Sequence, residues 1–139
     1  MTPSHVLVPL DGSPLAEEAF RRALALFECR VTVLNVVTPV DATMSEGGIL
    51  DPDEDRRESA RGRADRIVDR ARTQASAVDR TVETAVATGD PAEEILGYVD
   101  DHVVMGGHGG ERSDIARRVL GTVATSVVGE ASVTVTVVR

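Results

Sequence analysis

The sequence has no lysine and no tryptophan, one cysteine and very few aromatic residues. The single cysteine, Cys29, excludes an internal disulfide, and we expect it to be a small reduced core residue. Because aromatic residues make up only 2% of the chain, a core must be built from valine, leucine, isoleucine and alanine. Strands rich in valine and helices rich in alanine are typical of α/β domains, and 139 residues suffice for one.

The absence of lysine excludes a P-loop nucleotide site, whose motif G-x-x-x-x-G-K-[ST] requires one. The dinucleotide motif G-x-G-x-x-G is also missing after the first apolar run, where the chain reads L-D-G-S-P. There is no G-x-S-x-G nucleophile elbow and no spaced cluster of metal ligands. We therefore predict no catalytic residues and no metal centre held by side chains alone.

Positive charge is scarce: 15 bases, all arginine, oppose 23 acids, and the net charge is −8. An acidic surface without lysine is typical of proteins that work in concentrated salt, which predicts a salt-adapted source such as a halophilic archaeon. A GC-rich genome, which also replaces lysine by arginine, is the alternative. The negative charge argues against a nucleic-acid partner, because phosphate contacts need a basic face.

Long apolar runs are missing as well, and no segment has the length needed to cross a bilayer. The first residues carry no basic start, and the apolar run after them is only as long as a strand. The sequence therefore predicts a cytoplasmic protein without a membrane partner.

Short apolar runs alternate with segments whose apolar residues have helical spacing. The runs that predict strands are His5–Leu10, Val31–Val37, Thr81–Ala87, His102–Met105 and Val133–Val138. The segments that predict helices run from Pro14 to Phe27, from Asp53 to Val78, from Pro91 to Gly97 and from Thr122 to Ala131. Thr38–Asp51 contains proline and glycine and is expected to be a mobile loop.

This alternation predicts one domain over residues 1–139, a parallel sheet with helices on both faces. Ligands of such sheets bind at the carboxyl ends of the strands, near the point where the strand order reverses. Asp11 and the glycine turn that begins at Gly106 both follow strands, so we expect both at that edge.

The segment from Val103 to Val123 carries the strongest functional signal. An apolar run ends in Gly-Gly-His-Gly-Gly, and Gly121 later opens a helical pattern. Glycines let a phosphate approach the backbone, and a helix N-terminus supplies unpaired N–H groups and the positive end of its dipole. The pattern indicates a phosphate cradle, although a tight strand-to-helix turn explains the glycines equally well. Arg112, Arg117 and Arg118 are phosphate contacts or ordinary surface residues.

Two polar residues at this edge are candidate ligand contacts. Asp11 can accept hydrogen bonds from a ribose hydroxyl or a base amine, or it only ends the strand and helps to cap the next helix. His108, in the glycine turn, can contact ribose or phosphate. His5 and His102 lie in predicted strands and are expected to be structural.

Six segments, in the right order and over nearly the whole chain, resemble the universal stress protein (UspA) family. They are V-L-V-P-L-D-G-S-P at Val6–Pro14, V-T-V-L-N-V-V at Val31–Val37, G-D-P-A-E-E-I-L at Gly89–Leu96, V-V-M-G-G-H-G at Val103–Gly109, L-G-T-V at Leu120–Val123, and the closing V-T-V-T-V-V-R. The resemblance implies a Rossmann-like, adenine nucleotide alpha hydrolase-like fold with a five-stranded parallel sheet of order 3-2-1-4-5. It also implies a homodimer through the last strand, Val133–Val138, which is otherwise an exposed apolar edge.

The ATP-binding branch of the family uses G-x-x-G, nine residues, then G-[ST]. By this resemblance Gly106, Gly109, Gly121 and Thr122 hold the phosphates, Pro9, Asp11 and Val36 hold base and ribose, and Met105, His108 and Val123 line the pocket. The implied ligand is ATP with Mg²⁺ or Mn²⁺. The implied role is a regulator of the stress response, with at most slow ATP hydrolysis.

The chain departs from that pattern at one spacing. Eleven residues, rather than nine, separate Gly109 from Gly121. The connection before His102 is also shorter than in the family. These departures favour the alternative reading, a nucleotide-free dimeric interaction module of the same fold.

Overall fold

The computed structural model describes residues 3–38, 52–99, 101–108 and 120–139, with the side chains of the second stretch described from residue 59. The strands are β1 His5–Pro9, β2 Arg30–Val37, β3 Glu83–Thr88, β4 His102–Gly106 and β5 Thr134–Val138. The helices are α1 Pro14–Leu26, α2 Pro52–Ser76, α3 Pro91–Tyr98 and α4 Thr122–Glu130.

The strands form one parallel sheet of order β3-β2-β1-β4-β5, so the predicted fold class is confirmed. The chain adds strands on one side of β1 and then returns to add β4 and β5 on the other. The switch point therefore lies between β1 and β4, because the helices that follow these two strands, α1 and α4, pack on opposite faces of the sheet.

Two apolar layers pack on the two faces of the sheet. Alternate β1 residues divide between them: Val6 and Val8 contact the layer formed with α1 and α2, and Leu7 contacts the layer formed with α3 and α4. Phe20, fully buried in α1, is the largest side chain of the first layer. Small alanines along α1 and α2 allow both helices to lie close to the sheet, as the composition predicted.

Two predicted boundaries were wrong at the end of α2. The helix ends at Ser76 because the chain reverses through Asp79, whose φ is +57°, and the amide of Arg80 returns to the carbonyl of Ala75 at 2.8 Å. Val78, predicted to continue the buried stripe, lies in this turn with 58% of its surface exposed. The following strand begins at Glu83 rather than Thr81 for the same reason. Most of the predicted loop, residues 39–51, lies outside the described residues.

Candidate functional site

A cavity of about 530 Å³ opens at the carboxyl edge of the sheet, at the switch point. The ends of three strands form its floor, and the beginnings of three helices and one side of α2 form its walls. The residues that line it are Pro9, Leu10, Asp11, Ser13, Ala16, Leu34, Asn35, Val36, Val37, Thr38, Ala60, Arg63, Ala64, Pro91, Ile95, Met105, Gly106, His108, Gly121, Thr122, Val123 and Ala124.

A buried asparagine holds the floor of this cavity together. The amide of Leu10 donates to the carbonyl of Leu34 at 2.9 Å, and the side-chain amide of Asn35 donates to the carbonyl of Leu10 at 2.8 Å. Asn35 is only 6% exposed, so this bond satisfies a polar group that would be costly to bury alone. It keeps β1 and β2 paired one residue beyond the end of β1. A polar residue inside an apolar strand was the sequence signal that we did not use.

The loop after β1 presents Asp11 to the cavity. Oδ1 of Asp11 accepts a hydrogen bond of 2.9 Å from the amide of Ser13, and the Ser13 hydroxyl caps α1 by accepting from the amide of Ala16 at 3.3 Å. Among the described residues, the other carboxylate oxygen of Asp11 has no partner. Asp11 therefore shapes the turn and leaves an exposed acceptor at the cavity, and its contact with a ligand stays a prediction.

The glycine turn after β4 is required by packing. A Cβ at Gly106 would lie 3.1 Å from backbone atoms of Leu15 and Ala16, a tight contact with backbone that cannot move aside as the end of a flexible side chain can. The amide of Gly107 donates to the carbonyl of Val138 at 2.8 Å, and the carbonyl of Gly107 accepts from the amide of Gly121 at 2.7 Å. The two glycines thus allow α1 and the start of α4 to meet β4, which supports the turn reading at Gly106. A contact with phosphate remains a prediction there.

Helix α4 begins at the cavity without a side-chain cap. Its N-cap residue is Gly121, whereas α1 and α3 are capped by Ser13 and Asp90. Asp90 accepts from the amide of Glu93 at 3.1 Å, the bond predicted for that helix start. The first amide groups of α4, from Thr122 onward, lack this compensation, and their residues line the cavity. Such a helix start attracts anions through its N–H groups and its dipole.

The structure brings together all the predicted site residues that it describes. Pro9, Asp11, Val36, Met105, Gly106, His108, Gly121, Thr122 and Val123 all line this one cavity. Gly109 lies outside the described residues, as do Gly110 and the three arginines predicted in the same loop. The placement agrees with a shared site, and contact of each residue with a nucleotide stays a prediction.

Sequence reasoning missed the parts of the cavity wall that two helices, α2 and α3, contribute. Ala60, Arg63 and Ala64 bring α2 to the cavity, and Pro91 and Ile95 bring α3. The periodicity of α2 identified its apolar stripe but could not show that the end of the stripe passes beyond the sheet edge. Arg63 adds a positive charge to a lining in which Asp11 is the one carboxylate among the described residues.

The two strand histidines lie away from the cavity and have structural partners, as expected. His5 Nε2 is 2.7 Å from the Thr32 hydroxyl, and His102 Nε2 is 2.8 Å from the Thr136 hydroxyl. Within the described parts of the chain, no group of three or more His, Cys, Asp or Glu side chains is arranged to hold a metal ion. Also within those parts, no helix is long and apolar enough to cross a membrane.

A parallel sheet of this order with a cavity at its switch point defines an α/β protein of the adenine nucleotide alpha hydrolase-like class. The sequence profile of the universal stress protein family matches residues 3–139. The chain belongs to the universal stress protein family. No curated protein matches it significantly.

Solved structures with the same fold include several members of this family. The chain is similar to universal stress protein UspA from Lactobacillus plantarum, with 25% identity, a TM-score of 0.79, and 100% of this chain and 99% of that one covered. An Arabidopsis thaliana family protein with AMP bound is 20% identical, with a TM-score of 0.69 and coverage of 98% and 91%. The Archaeoglobus fulgidus protein in complex with dAMP is 19% identical, with a TM-score of 0.60 and coverage of 100% and 98%.

Proposed function

We propose that this chain binds an adenine nucleotide, ATP, in the cavity at the switch point and acts as a regulator of the stress response. The observation that carries the proposal is the uncapped start of α4 at Gly121, which faces the same cavity as the Asp11 carboxylate. An anion-attracting helix start and a hydroxyl-accepting carboxylate at one cavity match the two ends of a nucleotide.

The cavity also has the size and polarity of a nucleotide site. Its volume of about 530 Å³ lies within the usual range for small-molecule sites, roughly 300–1,000 Å³. In the proposed arrangement, Asp11 and the backbone at Pro9 and Val36 hold ribose and base, and Met105 and Val123 pack against the base. The phosphates lie at Gly106, Gly109, Gly121 and Thr122, with His108 beside them.

Two related structures support an adenine ligand. The Arabidopsis protein contains AMP and the Archaeoglobus protein contains dAMP. Mg²⁺ or Mn²⁺ would be carried by the phosphate oxygens, since such hard cations need few protein carboxylates when phosphates are present. Asp11 is the carboxylate that could assist, and the ion would neutralise phosphate charge. We propose no catalytic residue, which leaves at most slow ATP hydrolysis.

The remaining parts of the proposal concern the setting in which the protein works. We propose a homodimer formed through the last strand, a cytoplasmic location, and adaptation to high salt. The open edge of β5 supports the first, and the net charge of −8 without lysine supports the last.

The first experiment is a measurement of nucleotide content. Protein purified in concentrated KCl is denatured, the released small molecules are separated by chromatography, and ATP with Mg²⁺ is titrated into emptied protein. We expect stoichiometric adenine nucleotide or saturable binding. The absence of both signals would overturn the proposal. It would favour the nucleotide-free interaction module, which the eleven-residue spacing between Gly109 and Gly121 supports.

Two substitutions test the site itself. Gly121→Asp caps α4 with a carboxylate at the proposed phosphate position, so ATP affinity should fall by about tenfold or more while the fold is kept. Thr125→Asp is the matched control, because it adds the same charge to an exposed position of α4 outside the cavity. Asp11→Asn keeps the turn to Ser13 but removes the charge, and should weaken nucleoside binding. Unchanged affinity in both Gly121→Asp and Asp11→Asn would contradict the assignment.

A further inference from the structure

A second cavity continues from the first one past Asp11, between α1 and α2. Leu10, Asp11 and Arg63 line both cavities, so the two spaces are contiguous at these residues. Three arginines of α2 line the second cavity, Arg63 at the junction and then Arg66 and Arg70, and we call them the arginine groove. Their spacing along α2 places all three on one side of the helix.

The arginine groove is positively charged on a negatively charged protein. Three guanidinium groups and two carboxylates, Asp11 and Glu17, line the second cavity, whereas the whole chain has a net charge of −8. Arg70 forms an ion pair with Glu17, with 3.5 Å between Nη1 and Oε1. Among the described residues, neither Arg63 nor Arg66 has an ion-pair partner, in contrast to Arg21, Arg22, Arg30 and Arg72, which bind carboxylates.

The side chain of Arg66 folds back along α2 over Gly62. Its Nη1 lies 3.5 Å from the position that a Cβ would take at Gly62, one turn earlier in α2. Two unpaired guanidinium groups on neighbouring turns repel one another, and a bound anion would relieve this repulsion. The groove therefore has the charge of an anion site, at the end of the nucleotide cavity where Asp11 stands.

We propose that the site also accepts an adenine nucleotide with a second phosphate on its ribose, at the 2′ or 3′ oxygen, and that the arginine groove binds this phosphate. This inference rests on the proposed function, in which Asp11 accepts a hydrogen bond from one ribose hydroxyl. A phosphate on the neighbouring ribose oxygen leaves the first cavity beside Asp11 and enters the second. The unsubstituted hydroxyl still donates to Asp11, and Arg63 and Arg66 neutralise the added charge.

The test compares AMP with adenosine 3′,5′-bisphosphate and adenosine 2′,5′-bisphosphate by calorimetric titration, at the lowest salt that keeps the protein folded. At least one bisphosphate should bind about tenfold more tightly than AMP. Arg66→Gln should remove this advantage and leave AMP affinity unchanged, and Arg66→Lys should retain part of it. Arg61→Gln, at an exposed position of α2 outside both cavities, should retain all of it.

The outcomes separate this inference from the proposed function. If AMP binds and neither bisphosphate binds more tightly, or if the advantage survives Arg66→Gln, the inference is overturned and the proposed function stands. If ATP binds but AMP and both bisphosphates do not, the inference alone is overturned. If none of these nucleotides binds, the proposed function fails and the inference fails with it. Circular dichroism of each variant shows that a loss of binding is not a loss of fold.

Discussion

Gly12 shows how one residue positions the candidate site. Its φ is +86°, in the left-handed region, and a Cβ there would lie 3.3 Å from Cδ1 of Ile67 in α2. The loop after β1 therefore turns sharply and packs against α2 at the same point. This contact brings Asp11 to the junction of the two cavities.

We predict that Gly12→Ala lowers the free energy of unfolding by about 1–2 kcal/mol, because a side chain disfavours the left-handed conformation and crowds Ile67. Denaturant unfolding followed by circular dichroism measures the change. Gly97→Ala is the control, since a Cβ at Gly97 in α3 meets nothing within 4 Å, and it should be neutral or slightly stabilising. Equal stability of both variants would contradict this reading of Gly12.

His102 is the histidine whose protonation the fold opposes. It is 8% exposed and lies with its ring centroid 5.0 Å from that of Phe27. Burial lowers the pKa of His102 below its ordinary value of 6.5, and the Asp101 carboxylate opposes this shift only in part. The unfolded chain therefore binds a proton at a higher pH than the folded chain does. The stability associated with neutral His102 is complete above the unfolded pKa and declines as the pH falls below it.

We therefore expect the free energy of unfolding to fall as the pH is lowered through 6.5, the ordinary pKa of histidine, and His102→Gln, which can still bond Thr136, to reduce that slope. Unfolding curves at several pH values check this. Asp101 does not contribute in this window: hydrogen bonds from Ser4 lower the pKa of its carboxyl, so it stays ionised. An identical slope in His102→Gln would assign the pH dependence to other groups.

Among the elements, α1 depends on a residue outside the helix for a hydrogen bond to a carbonyl group at its carboxyl end. The helix has no basic residue in its last turn. Arg80, after α2, donates to the carbonyls of Leu24, Phe27 and Cys29 at 2.7, 2.9 and 3.0 Å. The Leu24 carbonyl lies in the last turn of α1, where carbonyls have no partner within the helix. One guanidinium thus connects the end of α1, the start of β2 and the turn after α2.

Arg80→Gln should lower the free energy of unfolding by about 1–3 kcal/mol, because it removes charge-assisted bonds to several carbonyls at once. Arg80→Lys should recover only part of this stability, since an ammonium group cannot reproduce the planar set of N–H donors of the guanidinium. Thermal or denaturant unfolding measures both, with Arg61→Gln, at an exposed position of α2, as the control. If Arg80→Gln is as stable as Arg61→Gln, the connection has no energetic role.

At the scale of the whole molecule, β5 is the last strand of the sheet, and none of the described residues pairs with its outer side. The amide of Gly107 bonds the carbonyl of Val138, so Val138 and alternate residues before it direct their backbone groups toward β4. Val135 and Val137 direct theirs outward, where a second copy could pair with them.

We predict that the wild-type protein is a dimer and that Val135→Pro, which removes one outward N–H, makes it a folded monomer. Light scattering coupled to size-exclusion chromatography measures the mass, in concentrated KCl. Val135→Ala controls for the loss of side-chain packing and should remain dimeric. A monomeric wild type, or a dimeric Val135→Pro, would contradict pairing through this strand.

The accuracy of the sequence-based predictions varied with the origin of each signal. The apolar strands and the caps at Ser13 and Asp90 follow from local chemistry and were predicted close to their observed positions. Val78 was misassigned because helical periodicity does not show where a helix ends. Arg63 was missed because its place at the cavity depends on how far α2 extends beyond the sheet.

The sequence by itself determined the alternation of strands and helices and the edge at which Asp11 and the glycines lie. The sheet order followed from the sequence motifs that the chain shares with its family. These depend on side-chain polarity, spacing and the handedness of crossovers, which act locally along the chain. Only the tertiary structure decided which helix faces join the cavity, that Gly106 is required by α1, and that an arginine groove adjoins Asp11. Those facts depend on distances between segments far apart in the chain, which packing sets and spacing does not encode.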